Sequence, residues 1–258
     1  MTKLIATDID GTLLTKERRQ ISPAFFAEAR RLMDLGYAFC AASGRQYDSL
    51  RRLFAPIADE IYYLCENGAA VFGPGNPGPL LSKTVMDRHL SLALCHEILE
   101  RPDCEILISG TNMSYLCPKQ PDIVDHMRYF VGNNVTILAS PEEMPEDFLK
   151  ISAYCRSGAA SLAPIMVPRW GSHFHVAVAG IAWLDFTLAD KGTGIQALCK
   201  ATGIPAAQTI AFGDNYNDVP MLDLVGKPFI MESAAQPLLD RYPNHCADVP
   251  DILSLMGR

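Results

Sequence analysis

The sequence predicts an α/β fold, a parallel sheet interrupted by an inserted α/β domain. Three observations carry this. Short β-prone runs alternate with helix-period patterns towards both ends of the chain. Several of those runs stop at polar loops, as strands of an open parallel sheet do at their carboxyl ends. From roughly Ser82 to Leu188 the rhythm changes to one long helical pattern followed by shorter segments of alternating polarity. The expected division is therefore a core of 1–81 and 189–258 with an inserted domain of 82–188.

Element by element, Leu4 to Thr7 is a strand that ends in Asp8-Ile9-Asp10-Gly11-Thr12. Ser22 caps a helix, Pro23 suits its first position, and Phe25, Phe26, Ala29, Leu32 and Met33 share one face up to Gly36. Tyr37 to Ala42 is a strand ending in Ser43-Gly44-Arg45, Asp48 to Phe54 a helix, and Ile61 to Cys65 a strand ending in Glu66-Asn67-Gly68. The stretch Gly73 to Pro79 is a turn and not a phosphate-cradling loop, because no helix pattern follows it. In the inserted domain a helix is expected from Asp87 to Glu100. After it, helices are expected from Lys191 to Lys200, Asn217 to Leu224, Ala235 to Arg241 and Ile252 to Met256, with strands at Thr209 to Phe212 and Pro228 to Met231.

Composition narrows the function. The 258 residues are 49% hydrophobic, ample for a core, and 22 basic against 29 acidic residues give a net charge of −7. No basic footprint for nucleic acid results. The first residues lack the apolar core of a secretory signal, and the longest uncharged apolar run, His175 to Leu184, is about half of a membrane span. A cytoplasmic protein with no membrane segment is expected. Eight scattered cysteines with no CxxC pair argue against zinc and for reduced thiols packed as small apolar groups.

The polar loops carry chemistry. Two aspartates one residue apart, after a buried strand and before a flexible glycine, can divide labour: Asp8 attacks phosphorus and Asp10 acts as acid and base. A carboxylate approaching a phosphate is repelled, so positive charge is required. Mg2+ held by Asp8, the carbonyl of Asp10, and Asp214 would supply it, with Asn217 and Asp218 bracing that set. Lys191 and Ser43 would take the phosphate oxygens. A calcium loop of the EF-hand type fails, since Leu13 and Arg19 stand where it needs Gly and Glu.

These residues resemble the haloacid dehalogenase-like superfamily, in particular its Cof-type sugar-phosphate phosphatases. All four superfamily motifs occur in order: Asp8-Ile9-Asp10-Gly11-Thr12, Ser43 within Ala42-Ser43-Gly44-Arg45, Lys191-Gly192, and Gly213-Asp214-Asn215-Tyr216-Asn217-Asp218 followed by Val219-Pro220-Met221-Leu222. Asn67-Gly68-Ala69 matches the turn that such proteins carry before their cap. The resemblance implies a Rossmann-like three-layer core with a mobile α/β cap, and magnesium-dependent hydrolysis of small phosphomonoesters through an aspartyl phosphate. It also implies phosphate contacts from Thr12, Ser43, Gly44, Lys191 and Asn217, and substrate contacts from Asn67 and Arg45, although the position of Arg45 equally suits a surface ion pair. Two departures stand out, Met231-Glu232-Ser233-Ala234 and His245-Cys246-Ala247-Asp248-Val249-Pro250, and neither touches the expected catalytic set.

Specificity is expected within 82–188, the part that would close over the site. His173 and His175 are expected on one face of a strand and Phe174 on the other, as ordinary sheet residues, and two of Trp170, Trp183 and Tyr115 as core. Two other functions use the same residues. A phosphotransferase or mutase would pass the phosphoryl group to a sugar, and a silent sensor of a phosphometabolite would have no use for Asp10.

Overall fold

The computed structural model describes residues 4–257. Met1–Lys3, which enter the reading of the leader, and Arg258 lie outside the described residues. Along the chain, β1 (Leu4–Thr7), α1 (Pro23–Asp34), β2 (Ala38–Ala42), α2 (Tyr47–Leu53), β3 (Tyr62–Cys65), β4 (Ala70–Phe72) and β5 (Leu80–Lys83) come first. Then follow α3 (Arg88–Leu99), β6 (Cys104–Ser109), β7 (Ser114–Leu116), α4 (Asp122–Asp125), β8 (Val135–Ile137), β9 (Lys150–Cys155), α5 (Ala159–Trp170), β10 (His175–Val178) and β11 (Trp183–Thr187). The chain finishes with α6 (Lys191–Thr202), β12 (Thr209–Gly213), α7 (Val219–Leu224), β13 (Lys227–Met231), α8 (Gln236–Arg241), β14 (His245–Cys246) and α9 (Val249–Ser254). Two compact units result, Met1–Ser82 with Asp190–Arg258, and Lys83–Ala189.

In the first unit an eight-stranded sheet runs β14-β13-β12-β1-β2-β3-β4-β5. Pairing is parallel from β14 to β3, and β4 turns back antiparallel to β3. β1 lies in the middle, where sequence order departs to both sides, the position at which open α/β sheets place their sites. Its four residues are all buried because helices cover both faces. On one face Phe25 of α1 packs edge to face against Phe39 and Phe54, and Phe54 against Tyr63. Truncating Phe25 to Ala would cost about 3–5 kcal/mol. On the other, Leu4, Ala6, Cys40 and Leu64 meet Ile195 and Leu198 of α6 and Met221 and Leu222 of α7. The unit is thus a three-layer α/β sandwich.

The second unit has a six-stranded sheet of order β10-β11-β9-β6-β7-β8, antiparallel except between β7 and β8. Cys104, Ile106 and Ile108 alternate along β6 and share a buried cluster with Ile151, Ala153 and Cys155 of β9 and with Leu94 and Ile98 of α3 and Leu162 and Met166 of α5. On the opposite face Leu107 and Leu116 pack against Ile123, Val124 and Met127.

The structure corrects several sequence expectations. β4 and β5 are not apparent in the sequence, because β4 has only three residues and β5, Leu-Leu-Ser-Lys, is mostly exposed and shows neither an alternation nor a buried apolar run. The last helix starts at Val249 and not at Ile252, with Pro250 in its first turn, a helix-start signal that the apolar pattern alone obscured. The departure His245-Cys246 is an added edge strand that pairs with Ile230 and Met231 of β13. His173 and His175 do not share a strand face: His173 sits in the turn after α5, its amide donating to Trp170 O at 2.9 Å, and β10 begins only at His175. Trp170 and Tyr115 are buried as expected, their polar ends bonded to Glu97 at 3.0 Å and Glu146 at 2.7 Å, while Trp183 is half-buried against Tyr154.

Candidate active site

The chain leaves the sheet at Asp8, whose amide still donates to Phe212 O of β12 at 2.9 Å. Gly11 then turns it back with φ +104°, and a Cβ placed there would lie 2.1 Å from Asp214 Oδ2. Only glycine lets the loop after β1 come against the loop after β12. Thr12 closes the same contact from the side, its hydroxyl donating to Asp214 Oδ1 at 3.4 Å.

Lys191 reaches this place from the first turn of α6. Asp190 caps that helix by accepting from Thr193 N at 2.7 Å, and Thr193 Oγ1 accepts from Asp190 N at 2.9 Å, a reciprocal capping box. A Cβ on Gly68, which has φ +101°, would lie 2.1 Å from Asp190 O, so the turn after β3 packs tightly on the helix start. Held in this way, Lys191 is fully buried and donates to Asp8 Oδ1 and to Asp218 Oδ1, both at 2.5 Å. The other oxygen of Asp218 accepts from Asp214 N at 2.9 Å and Asn215 N at 3.0 Å. Asp218 thus fixes both the lysine and the loop that carries Asp214.

Three carboxylates here face one ammonium. Burial pushes the Asp8 carboxyl up to about 8 against the pull of Lys191, and Asp218 and Asp214 add to the push. Burial and Asp218 raise Asp214 to about 6. Burial works against the Lys191 ammonium, but Asp218 and Asp8 outweigh it and hold the group above its ordinary value. Asp8 Oδ2 is buried with no hydrogen-bond partner. One oxygen each from Asp8, Asp214 and Asp218 lies within 4.8 Å of the others. An oxygen-only donor set with surplus negative charge and an orphaned carboxylate oxygen fits a hard divalent cation. Because the oxygens of Asp218 are taken by Lys191 and two amides, Asp8 and Asp214 are the side chains left to bind one.

A second group forms around the turn after β3. Ser43 is buried, its hydroxyl accepts from Arg45 N at 3.3 Å and its carbonyl from Asn67 N at 2.9 Å. Glu66 and Asn67 both have left-handed backbones, φ 49° and 54°, a conformation unusual for a residue with a side chain. This turn brings the Asn67 amide beside Gly44 and within 3.5 Å of Asn217. Arg45 clasps both oxygens of Asp10, Nε to Oδ2 at 2.7 Å and Nη2 to Oδ1 at 2.6 Å.

Asp8, Thr12, Lys191, Asp214 and Asp218 therefore form one cluster and Ser43, Gly44, Asn67 and Asn217 another, with Arg45 tied to Asp10. Of the two residues expected to brace the metal ligands, Asp218 holds the Asp214 loop, whereas the side-chain amide of Asn217 turns to Asn67. Two contributors escaped the sequence reading. Asp190 was detectable, because Asp with Thr three residues later at a helix start resembles a capping box. Glu66, buried and left-handed, gave no signal beyond the turn itself.

Comparison with known proteins agrees with this geometry. The family model for haloacid dehalogenase-like hydrolases matches residues 5–249. The chain is 28% identical to the 5-amino-6-(5-phospho-D-ribitylamino)uracil phosphatase YbjI of Escherichia coli, covering 90% of this chain and 86% of that one. It is 26% identical to an HMP-PP phosphatase of Cronobacter sakazakii, covering 96% and 92%. A crystal structure from Eubacterium rectale superposes with a TM-score of 0.88 at 27% identity over 98% of both chains. With its motifs gathered at the carboxyl ends of β1, β2 and β12 and residues 5–249 matched, the chain belongs to the haloacid dehalogenase-like hydrolase family, among the Cof-type phosphatases.

Proposed function

We propose that this phosphatase hydrolyses small phosphorylated metabolites by moving the phosphoryl group first to Asp8 and then to water, with Mg2+ as cofactor. The observation that carries the reading is the state of Asp8. One of its oxygens is locked by Lys191 at 2.5 Å and the other is buried and unpartnered. A carboxylate fixed in this way is oriented before substrate arrives, which removes part of the entropic barrier to attack.

Asp8, Asp214 and the carbonyl of Asp10 would hold the metal, and when bound it would offset the repulsion between Asp8 and the phosphate. The remaining steps belong to the chain. Lys191 neutralises charge on the phosphate oxygens as it shifts in the transition state. Ser43, Gly44 and Thr12 line the phosphate with hydroxyl and amide donors, and Asn67 and Asn217 present a joined pair of side-chain amides beside them. Asp10 protonates the leaving oxygen, then takes a proton from the water that attacks the phosphorylated Asp8. To do so its carboxylate leaves the Arg45 clasp, and Arg45 is then available to the substrate. Residues 82–188, the inserted part, would supply the side chains that read the leaving group.

Among substrates, a phosphorylated sugar alcohol on a heterocycle is the first to test, following the name of the Escherichia coli relative. The test is phosphate release from that compound, HMP-PP, several sugar phosphates and an aryl phosphate, with magnesium and with chelator. Magnesium-dependent release, together with a hydroxylamine-sensitive phosphoryl group mapped to Asp8 in quenched reactions, is the expected result. Release that persists in chelator, or a phosphoryl group on any other residue, would overturn the mechanism. Release only when an acceptor sugar is added would establish a transferase instead.

A further inference from the structure

We propose that Cys104 and Cys155 in the second unit form an oxidisable dithiol, a site at which hydrogen peroxide converts two thiols to one disulfide. The two residues are direct partners in the register of β6 and β9. Both are buried on the face that carries Ile106 and Ala153. Their rung is one without backbone hydrogen bonds between the strands. Arg156 N donates to Asp103 O at 2.9 Å, so the adjacent rung is the bonded one, while Cys155 N turns the other way, to Ala182 O at 2.7 Å. At such rungs the side chains stand closest, with Cα atoms about 4.5 Å apart. That spacing falls within the range a disulfide spans, roughly 4.4–6.8 Å. The sulfurs are 3.5 Å apart, so closure to a bond of about 2.05 Å needs side-chain rotation and no change of register.

The surroundings distinguish the two sulfurs. Cys104 donates to Cys155, and the carboxylate of Asp103 lies 3.6 Å from Cys104 Sγ. Of the two sulfurs, Cys155 gives up its proton the more readily, because the bond from Cys104 holds its thiol below its ordinary value against burial and the charge of Asp103. A metal is not the natural occupant: among the described residues the one group of three close candidate ligands is Asp8, Asp214 and Asp218. The rung also closes the strand pair, β6 beginning at Cys104 and β9 ending at Cys155, with Arg156 and Ser157 exposed just beyond. A molecule as small as peroxide needs only fraying of that end to reach it.

The chemistry balances without a further reactant. Cys155 thiolate attacks one peroxide oxygen, the O–O bond breaks, and hydroxide leaves as the sulfenic acid forms. Cys104 sulfur then attacks the Cys155 sulfur, the S–S bond forms and the S–O bond breaks, and the departing hydroxide takes up a proton as water. Two thiols and one peroxide become a disulfide and two waters, two electrons passing from sulfur to oxygen.

The experiment treats the reduced full-length chain with peroxide, blocks remaining thiols in denaturant, and maps the products by mass spectrometry. Two of the eight thiols should be lost, the chain should become two hydrogens lighter, and one cross-linked peptide pair should join Cys104 to Cys155. Dithiothreitol should restore both thiols. Cys104→Ser and Cys155→Ser should each form no such disulfide, with Cys→Ala at the same positions as replacements if the serine variants do not fold. The proposal is overturned if both thiols survive peroxide that fully oxidises a small dithiol, if the cross-link joins other cysteines, or if Cys155 stops at the sulfinic acid.

Discussion

Two ion pairs stand at the first loop of this protein, and they differ in almost everything but distance. Lys191 and Asp8 meet at 2.5 Å with side chains 0% and 7% exposed. Arg45 and Asp10 meet at 2.6 Å with side chains 30% and 53% exposed. The buried pair is locked, because removing either partner leaves a charge without water or a counter-charge. The exposed pair exchanges with solvent and is worth about 1 kcal/mol or less. The contrast matches the work proposed for each carboxylate. A nucleophile gains from being fixed, whereas a group that delivers and collects a proton has to move.

Substitutions can break or sharpen this contrast. The largest effect is expected for Asp8→Asn, which removes the proposed nucleophile and should lower turnover by roughly 10⁴-fold or more while the chain stays folded. Steady-state phosphate release, with circular dichroism as control, checks it. Asp10→Asn should lower turnover by about 10²–10⁴-fold, least for aryl phosphates whose leaving oxygen needs no proton. A loss independent of the leaving group would remove the acid role.

Lys191→Ala strands Asp8 and Asp218 in the interior and should cost about 3–5 kcal/mol in denaturant unfolding. A smaller effect is expected from pH. In chelator, Asp8 and Asp214 bind protons more tightly folded than unfolded, because burial raises them to about 8 and about 6. A raised carboxyl is most favourable to the fold at low pH, so melting temperature should fall as pH climbs through these values. Magnesium should flatten the profile by replacing the protons. Smallest of all, Arg45→Gln should change stability by about 1 kcal/mol or less. It should change kcat and KM most for substrates that depend on the arginine freed from Asp10.

Much of this was legible in the sequence because the core is periodic and the site is punctuated. Leu4 to Thr7 reads as a buried strand with no structural knowledge, and the aspartates and glycines after strands and the lysine at a helix start mark where the candidate site lies. What stayed hidden was set by contacts distant in sequence. Nothing in Arg45 itself says that it reaches back to Asp10 in preference to solvent, and nothing in Asn217 says that its amide faces Asn67. β4, three residues long, has no period to detect, and the pairing of Cys104 with Cys155 depends on a register that neither strand displays alone.

The position of β1 has a consequence for the making of the protein. Its two neighbours are β2, which follows within about forty residues, and β12, which does not begin until Thr209. At roughly 5–20 residues per second, a ribosome needs on the order of ten to forty seconds to supply that second neighbour. Throughout this interval a fully buried strand of the finished core is open along its β12 side, a hydrophobic edge of the kind to which chaperones and other nascent chains adhere. Under the proposed mechanism the nascent chain is also inert until late in synthesis, since Asp8 emerges early and has to wait for Lys191, Asp214 and Asp218.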